Sequence, residues 1–231
     1  KRLLRTRPMS EPASAATLLQ QGLFHHRQGD LKTAMDRYVE VLQADPRNAD
    51  ALYYIAVIAC QEGQYKQGIE LARRALDVGP QQARVYNLLG QALYREGERL
   101  EAVKNFDRAL ALDPNFADAH GNRANILADA GYPEEALKSF DLALAINPMS
   151  GTDWLNRGSV AQTLGRYEEA LKNFDKAITC GAHVAEAQVN RGHALKDLGH
   201  IDAARGMTAS PRFDEAIAAY GAAIKLELQL P

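Results

Sequence analysis

Residues 117–150, ADAHGNRANILADAGYPEEALKSFDLALAINPMS, decide the fold, because the marked positions of this stretch recur every 34 residues. Pro148 closes it, and Pro46, Pro80 and Pro114 stand at the same place in the segments before it. Starting the repeats at Ala15, Ala49, Ala83, Ala117, Gly151 and Ala185 brings small residues to position 8 (Gly22, Ala56, Gly90, Ala124, Gly158, Gly192). Position 15 is glycine in all six: Gly29, Gly63, Gly97, Gly131, Gly165 and Gly199. Position 20 is again small (Ala34, Gly68, Ala102, Ala136, Ala170), and position 27 is Val41, Ala75, Ala109, Ala143 and Ala177. Position 24 is aromatic in Tyr38, Phe106, Phe140 and Phe174, with Ala72 the exception.

Each position has a physical reason. Two helices packed about 8–10 Å apart need small residues where they touch, and positions 8, 20 and 27 supply them. The aromatic at 24 fills the groove beside that contact, worth roughly 1.5–3 kcal/mol of burial. Glycine at 15 ends the first helix by entering the left-handed region without steric cost. Proline at 32 stops the second. The spacing predicts a first helix over about positions 2–14 and a second over about 17–30. A single pair cannot bury its apolar face, so the pairs stack.

This pattern resembles the tetratricopeptide repeat family from residue 15 onward. The resemblance implies an all-α, right-handed α-solenoid of stacked antiparallel helix pairs, with a concave side that holds a partner and no catalytic residues. Residues 1–14 are then a tail, basic through Lys1, Arg2, Arg5 and Arg7, and Met9-Ser10-Glu11 reads like a natural start. Residues 15–200 hold repeats 1–5 and the first helix of repeat 6.

Repeat 6 departs from the pattern. After Gly199 the run Ile201-Asp202-Ala203-Ala204 lacks its aromatic, and the pattern resumes at Phe213-Asp214-Glu215-Ala216 with Tyr220 and Ala223. Residues 201–212 are therefore expected as an insertion, either a surface loop or a lid or partner-binding element over the end of the groove, with Ser210-Pro211 starting a new helix. Residues 213–231 supply the last second helix. The stop at Leu230-Pro231 without a polar capping helix points to a homo-oligomer through that end, or to a chain continuing further.

Charged residues are 24% of the 231 and nearly balance, giving a formal net charge of −2. No basic field attracts nucleic acid and no polybasic run suggests a membrane surface. No apolar run approaches a membrane span. Cys60 and Cys180, three repeats apart, are too distant to pair, which fits a reducing compartment and a cytoplasmic location.

No phosphate-binding loop, dinucleotide fingerprint or zinc-protease motif is present, so no cofactor and no metal is expected. Adjacent His25 and His26 point about 100° apart on a helix and make a poor chelate; His26 is expected in the groove. His120 and Trp154 are expected to be structural, and Glu134, Glu135, Glu168 and Glu169 to be solvated.

In the family, positions 2, 5, 6, 9, 12 and 13 of the first helix line the inner surface. Position 6 reads Asn122, Asn156 and Asn190 in repeats 4–6, and Asn125 adds an amide at position 9. Asn87 sits at position 5 of repeat 3. An amide carries both a donor and an acceptor, so such a ladder fits the backbone of an extended peptide whatever its side chains. Earlier repeats offer Tyr53, Tyr54, Arg84, Tyr94 and Arg95, residue types that anchor interfaces. Position 5 holds no lysine (Leu19, Tyr53, Asn87, Gly121, Leu155, Val189), so the carboxylate clamp of chaperone-binding family members is absent. The asparagine ladder is similar to that of the superhelix preceding the catalytic domain of O-linked N-acetylglucosamine transferases. The expected function is a non-enzymatic scaffold binding a partner's extended segment. The alternatives are the substrate-recruiting array of a larger glycosyltransferase and a self-assembling scaffold.

Overall fold

The computed structural model describes residues 14–79, 81–181, 183–207 and 210–228. The expected basic tail before Ser14, the terminator Pro80 and the end at Leu230-Pro231 lie outside them. Among the described residues the regular elements are all helices: α1 (Ala15–Arg27), α2 (Leu31–Ala44), α3 (Ala49–Gln61), α4 (Tyr65–Val78), α5 (Ala83–Arg95), α6 (Arg99–Leu112), α7 (Ala117–Asp129), α8 (Pro133–Ile146), α9 (Gly151–Thr163), α10 (Tyr167–Thr179), α11 (Val184–Ala204) and α12 (Arg212–Glu227). The first helices of repeats 1–5 occupy positions 1–13, and the second helices occupy 17–30 or one residue less. The chain divides into two compact units, one holding α1–α5 and the other α6–α12.

In the first unit α1 pairs with α2 and α3 with α4, each second helix packing on the first helix that follows. Asp30 and Asn48 cap α2 and α3, accepting from the amides of Thr33 (3.1 Å) and Ala51 (3.0 Å). Tyr38 is fully buried against Gly22, which has no room for a Cβ beside that ring. In the second unit the same contact recurs. A Cβ on Gly158 would come 2.6 Å from Phe174, and one on Gly192 2.6 Å from Tyr220. Ala136, Phe140, Ala170, Phe174 and Ala177 are wholly buried. Gly29, Gly63, Gly97, Gly131 and Gly165 follow the first helices of repeats 1–5 with φ between 71° and 88°, the left-handed C-cap that favours glycine. Over the repeat-closing prolines, Asp45, Asp113 and Asn147 accept the amide two residues on, at 3.0–3.3 Å.

Repeat 6 overturns one expectation. Gly199 does not end its first helix. It is buried inside α11, where a Cβ would come 2.9 Å from the Phe213 ring, and the helix runs on to Ala204. Residues 201–212 are thus not a single loop, since 201–204 form the last turn of α11. The left-handed glycine has moved to Gly206, at φ 92°. Asp202, 8% exposed, accepts from Ser210 Oγ and from Arg212 Nε, both at 2.9 Å, and so ties the extension to the start of α12. Ser210 Oγ also accepts from the Arg212 amide at 3.4 Å. Tyr220 over Gly192 fixes the register of α12 at the expected shift.

Candidate functional site

The sequence-predicted residues fall in both units, and each group stands by itself. In the first unit Tyr53 and Tyr54 follow one another on α3, and Arg84 lies one repeat on in α5. The rings of Tyr53 and Tyr54 meet edge to face at 5.0 Å, and Tyr54 stacks on Tyr38 at 5.4 Å. The Arg84 guanidinium sits 4.6 Å from the centre of the Tyr53 ring, donates to Tyr54 Oη at 3.0 Å and to Gln82 Oε1 at 2.6 Å, and pairs with Asp50. These contacts lock a long side chain, so its rotamer entropy is already lost before any partner arrives. The Asp50 carboxylate also neutralises the guanidinium. What the platform offers is aromatic and hydrogen-bonding surface rather than net positive charge.

His26 completes this cluster, packing on Tyr54 at 6.4 Å with Nδ1 at 3.4 Å from Tyr38 Oη. Burial, then the neighbouring Tyr54, pushes the Tyr38 hydroxyl up to about 12, so it stays protonated across the physiological range. The structure does not bring the remaining first-unit candidates here. Asn87 is buried, at 7% exposed. Tyr94 and Arg95 lie ten or more residues beyond Arg84 on α5, about 15 Å along the axis.

In the second unit Asn125 on α7 and Asn156 on α9 meet directly. Asn156 Nδ2 donates to Asn125 Oδ1 at 3.0 Å, so two members of the amide set are paired across neighbouring repeats. The pair keeps the Asn125 amide donors and the Asn156 carbonyl, an available donor–acceptor edge. Asn122, Asn125, Asn156 and Asn190 are all half-buried, and Asn122 neighbours Asn125 one turn away on the same helix. Beside them, Gly121 leaves the space into which the Asp153 carboxylate reaches; a Cβ there would come 2.5 Å from Asp153 Oδ1. Burial raises the Asp153 carboxyl above its ordinary range, the hydrogen bond from Ser150 opposes that, and the charge of Asp118 adds to it.

A second set of residues passed unnoticed in the sequence. Arg123, Arg157 and Arg191, each at position 7, donate Nε to Asp107, Asp141 and Asp175 of the preceding second helix at 2.7–2.8 Å. Arg157 Nη1 also reaches Asn173 Oδ1 (3.1 Å) and Glu169 (2.8 Å) on its own partner helix. Glu169 is thus bound rather than merely solvated, a correction to its expected role. The signal was the 34-residue recurrence of both the arginine and the aspartate. Between α8 and α10 a groove of about 670 Å³ runs over Trp154 and Arg157, bordered by Leu144, Lys172 and Lys176; it includes no sequence-predicted groove residue. Trp154 and His120 behave as structural residues, their ring nitrogens lying 2.9 Å from the carbonyls of Pro148 and Pro114. Among the described residues no three His, Cys, Asp or Glu side chains are arranged to hold a metal ion, and no helix is long and apolar enough to cross a membrane.

Residues 25–92, 87–150 and 154–179 each match a family model of the tetratricopeptide repeat. Among solved structures the chain is similar to PilF of Pseudomonas aeruginosa, at 23% identity over 88% of this chain and 96% of that one, with a TM-score of 0.72. It is similar to MamA at 26% identity, over 69% of this chain and 94% of that one, TM-score 0.59. A third structure, YrrB, is described as a tetratricopeptide protein with an unusual peptide-binding site; it shares 24% identity over 79% of this chain and 92% of that one, TM-score 0.59. No curated protein sequence matches the chain. Three matched stretches covering most of residues 25–179, the repeated helix pairs and these structural likenesses agree: the chain belongs to the tetratricopeptide repeat family.

Proposed function

We propose that the chain is a non-enzymatic protein-interaction module that holds an extended segment of a partner against its first helices. The observation that carries this reading is the Tyr53–Tyr54–Arg84 platform, whose guanidinium is fixed by Tyr54, Gln82 and Asp50 while its side chains stay partly open to solvent. Aromatic and arginine side chains held in place this way are the usual energetic anchors of interfaces. The peptide-binding site named for YrrB belongs to that protein and supports the same class of function here. In the second unit, the Asn125–Asn156 edge suits a peptide backbone, and Asp118 and Asp153 favour a segment carrying lysine or arginine beside it.

Selection from a library of random peptides, followed by fluorescence anisotropy with the enriched sequences, tests this. Wild-type protein is expected to enrich peptides, and Tyr53→Ala with Arg84→Ala to weaken those that use the platform at least about tenfold. Replacing Asn122, Asn156 and Asn190 with alanine is expected to weaken backbone-held peptides by a similar factor, at about 0.5–1.5 kcal/mol per lost hydrogen bond. Unchanged affinity in both variants, with helicity intact by circular dichroism, would remove the platform and the amides from the site.

A further inference from the structure

The last second helix leaves open what its counterparts cover. Positions 21 and 28 are Leu137 and Leu144 in α8, Leu171 and Ile178 in α10, and Ile217 and Ile224 in α12. In the first five repeats none of the residues at these positions is exposed. In α12 they are 68% and 57% exposed. The core shows what covers them elsewhere: Leu137 packs with Val160, and Leu171 and Ile178 with Ala187 and Ala194. Positions 21 and 28 of one repeat therefore take positions 3 and 10 of the next first helix.

The first helix of the first unit has the complementary fault. The residue at position 10 is at most 7% exposed in repeats 2–6, whereas Phe24 in repeat 1 is 61% exposed. The two ends also differ from internal junctions in ways that match each other. Position 25 of α12 is Gly221, where a Cβ would meet nothing within 4 Å, so the helix surface between Ile217 and Ile224 carries no side chain. Internal junctions in the second unit set an aspartate at position 25 against an arginine at position 7 of the next helix. Position 7 of α1 is uncharged Gln21, so α1 laid on α12 strands neither an arginine nor an aspartate. Gln21 would then lie over Gly221, and Phe24 at position 10 would cover Ile217 at position 21, as Val160 packs with Leu137.

We propose that molecules of this chain join head to tail, with Phe24 of a second copy packed on Ile217 and its Gln21 over Gly221, so that α1 of that copy continues the stack as a following first helix. The contact is heterologous: each molecule keeps one free head and one free tail, so assembly proceeds beyond a dimer.

Sedimentation equilibrium of the full chain, from low to high micromolar concentration, tests this. The weight-average mass is expected to climb past that of a dimer as concentration rises. Phe24→Glu and Ile224→Glu are each expected to stay monomeric, with association weakened at least about tenfold. Mixed together, they are expected to form a dimer and nothing larger, because one retains an intact tail and the other an intact head. Gly221→Gln places a side chain that starts in open space where Gln21 of the second copy would pack, and is expected to abolish association even where Ile224→Glu folds poorly. A wild-type chain that remains monomeric overturns the proposal. So does Phe24→Glu protein that still self-associates, since pairing of two α12 faces would leave it unaffected. An equimolar mixture of folded Phe24→Glu and Ile224→Glu that stays monomeric overturns it as well.

Discussion

Gly158 and Gly131 are needed for different reasons, and substitution separates them. At Gly158 an added methyl meets the Phe174 ring at 2.6 Å; at Gly131 nothing lies within 4 Å, but φ is 83°. Gly158→Ala is expected to cost about 1–3 kcal/mol by overpacking, and Gly131→Ala about 1–2 kcal/mol from the left-handed backbone. In a Phe174→Leu background the first cost should largely vanish while the second persists, a coupling that urea unfolding of the four combinations reads directly. Asp153 makes a second residue-level test. Its carboxyl is raised by burial and by Asp118 against the Ser150 hydrogen bond, so the folded state holds its proton more tightly than the unfolded chain. Stability from this group is then lost as pH rises from the ordinary carboxylate value through the raised folded one. Asp153→Asn is expected to raise the urea midpoint at neutral pH, with the advantage shrinking as pH falls through the carboxylate range. A variant less stable than wild type at pH 7 would show that the Ser150 hydrogen bond outweighs the burial.

Among elements, the junctions of the second unit are clamped by one arginine each. The Arg157 side chain is 15% exposed and binds Asp141 and Glu169, with Asn173 as a third partner. Arg123 is 33% exposed and, among the described residues, holds Asp107 and Ser139. Arg157→Ala should therefore cost about 2 kcal/mol, and Arg123→Ala no more than about 1 kcal/mol, as measured by chemical denaturation. Equal costs would mean that the extra contacts of Arg157 contribute nothing. Helix limits were legible because glycine at 15 and small residues at 8 and 20 each have one dominant use in repeats 1–5. They misled at Gly199 because glycine has two uses. There it provides a close approach for Phe213, and Asp202-Ala203-Ala204 carries no turn signal that would end the helix before Gly206. The arginine ladder was written at fixed spacing, but single exposed-looking acids such as Asp141 and Glu169 give no hint of a partner 16 or 12 residues away.

At the scale of the whole molecule, a stack in which each repeat touches only its neighbours transmits a local loss over a short range. The chain's single tryptophan, Trp154, sits in α9 with its indole held to the Pro148 carbonyl at 2.9 Å. Its fluorescence thus reports on the junction of repeats 4 and 5, while circular dichroism averages over all twelve helices found among the described residues. If Arg157 clamps that junction, Arg157→Ala should move the fluorescence transition to lower urea by about 1 M, taking a slope near 2 kcal/mol/M. The dichroism transition should broaden and shift less, because α1–α5 belong to the other compact unit. Divergence of the two probes is the signature of unfolding that is not all-or-none. The position-8 partner of Tyr38, Gly22, offers the control: Gly22→Ala strikes the first unit and should shift the dichroism curve while leaving the Trp154 transition close to wild type. Probes that move together in both variants would show that the two units unfold as one, and that the arginine clamps act on the whole chain rather than on single junctions.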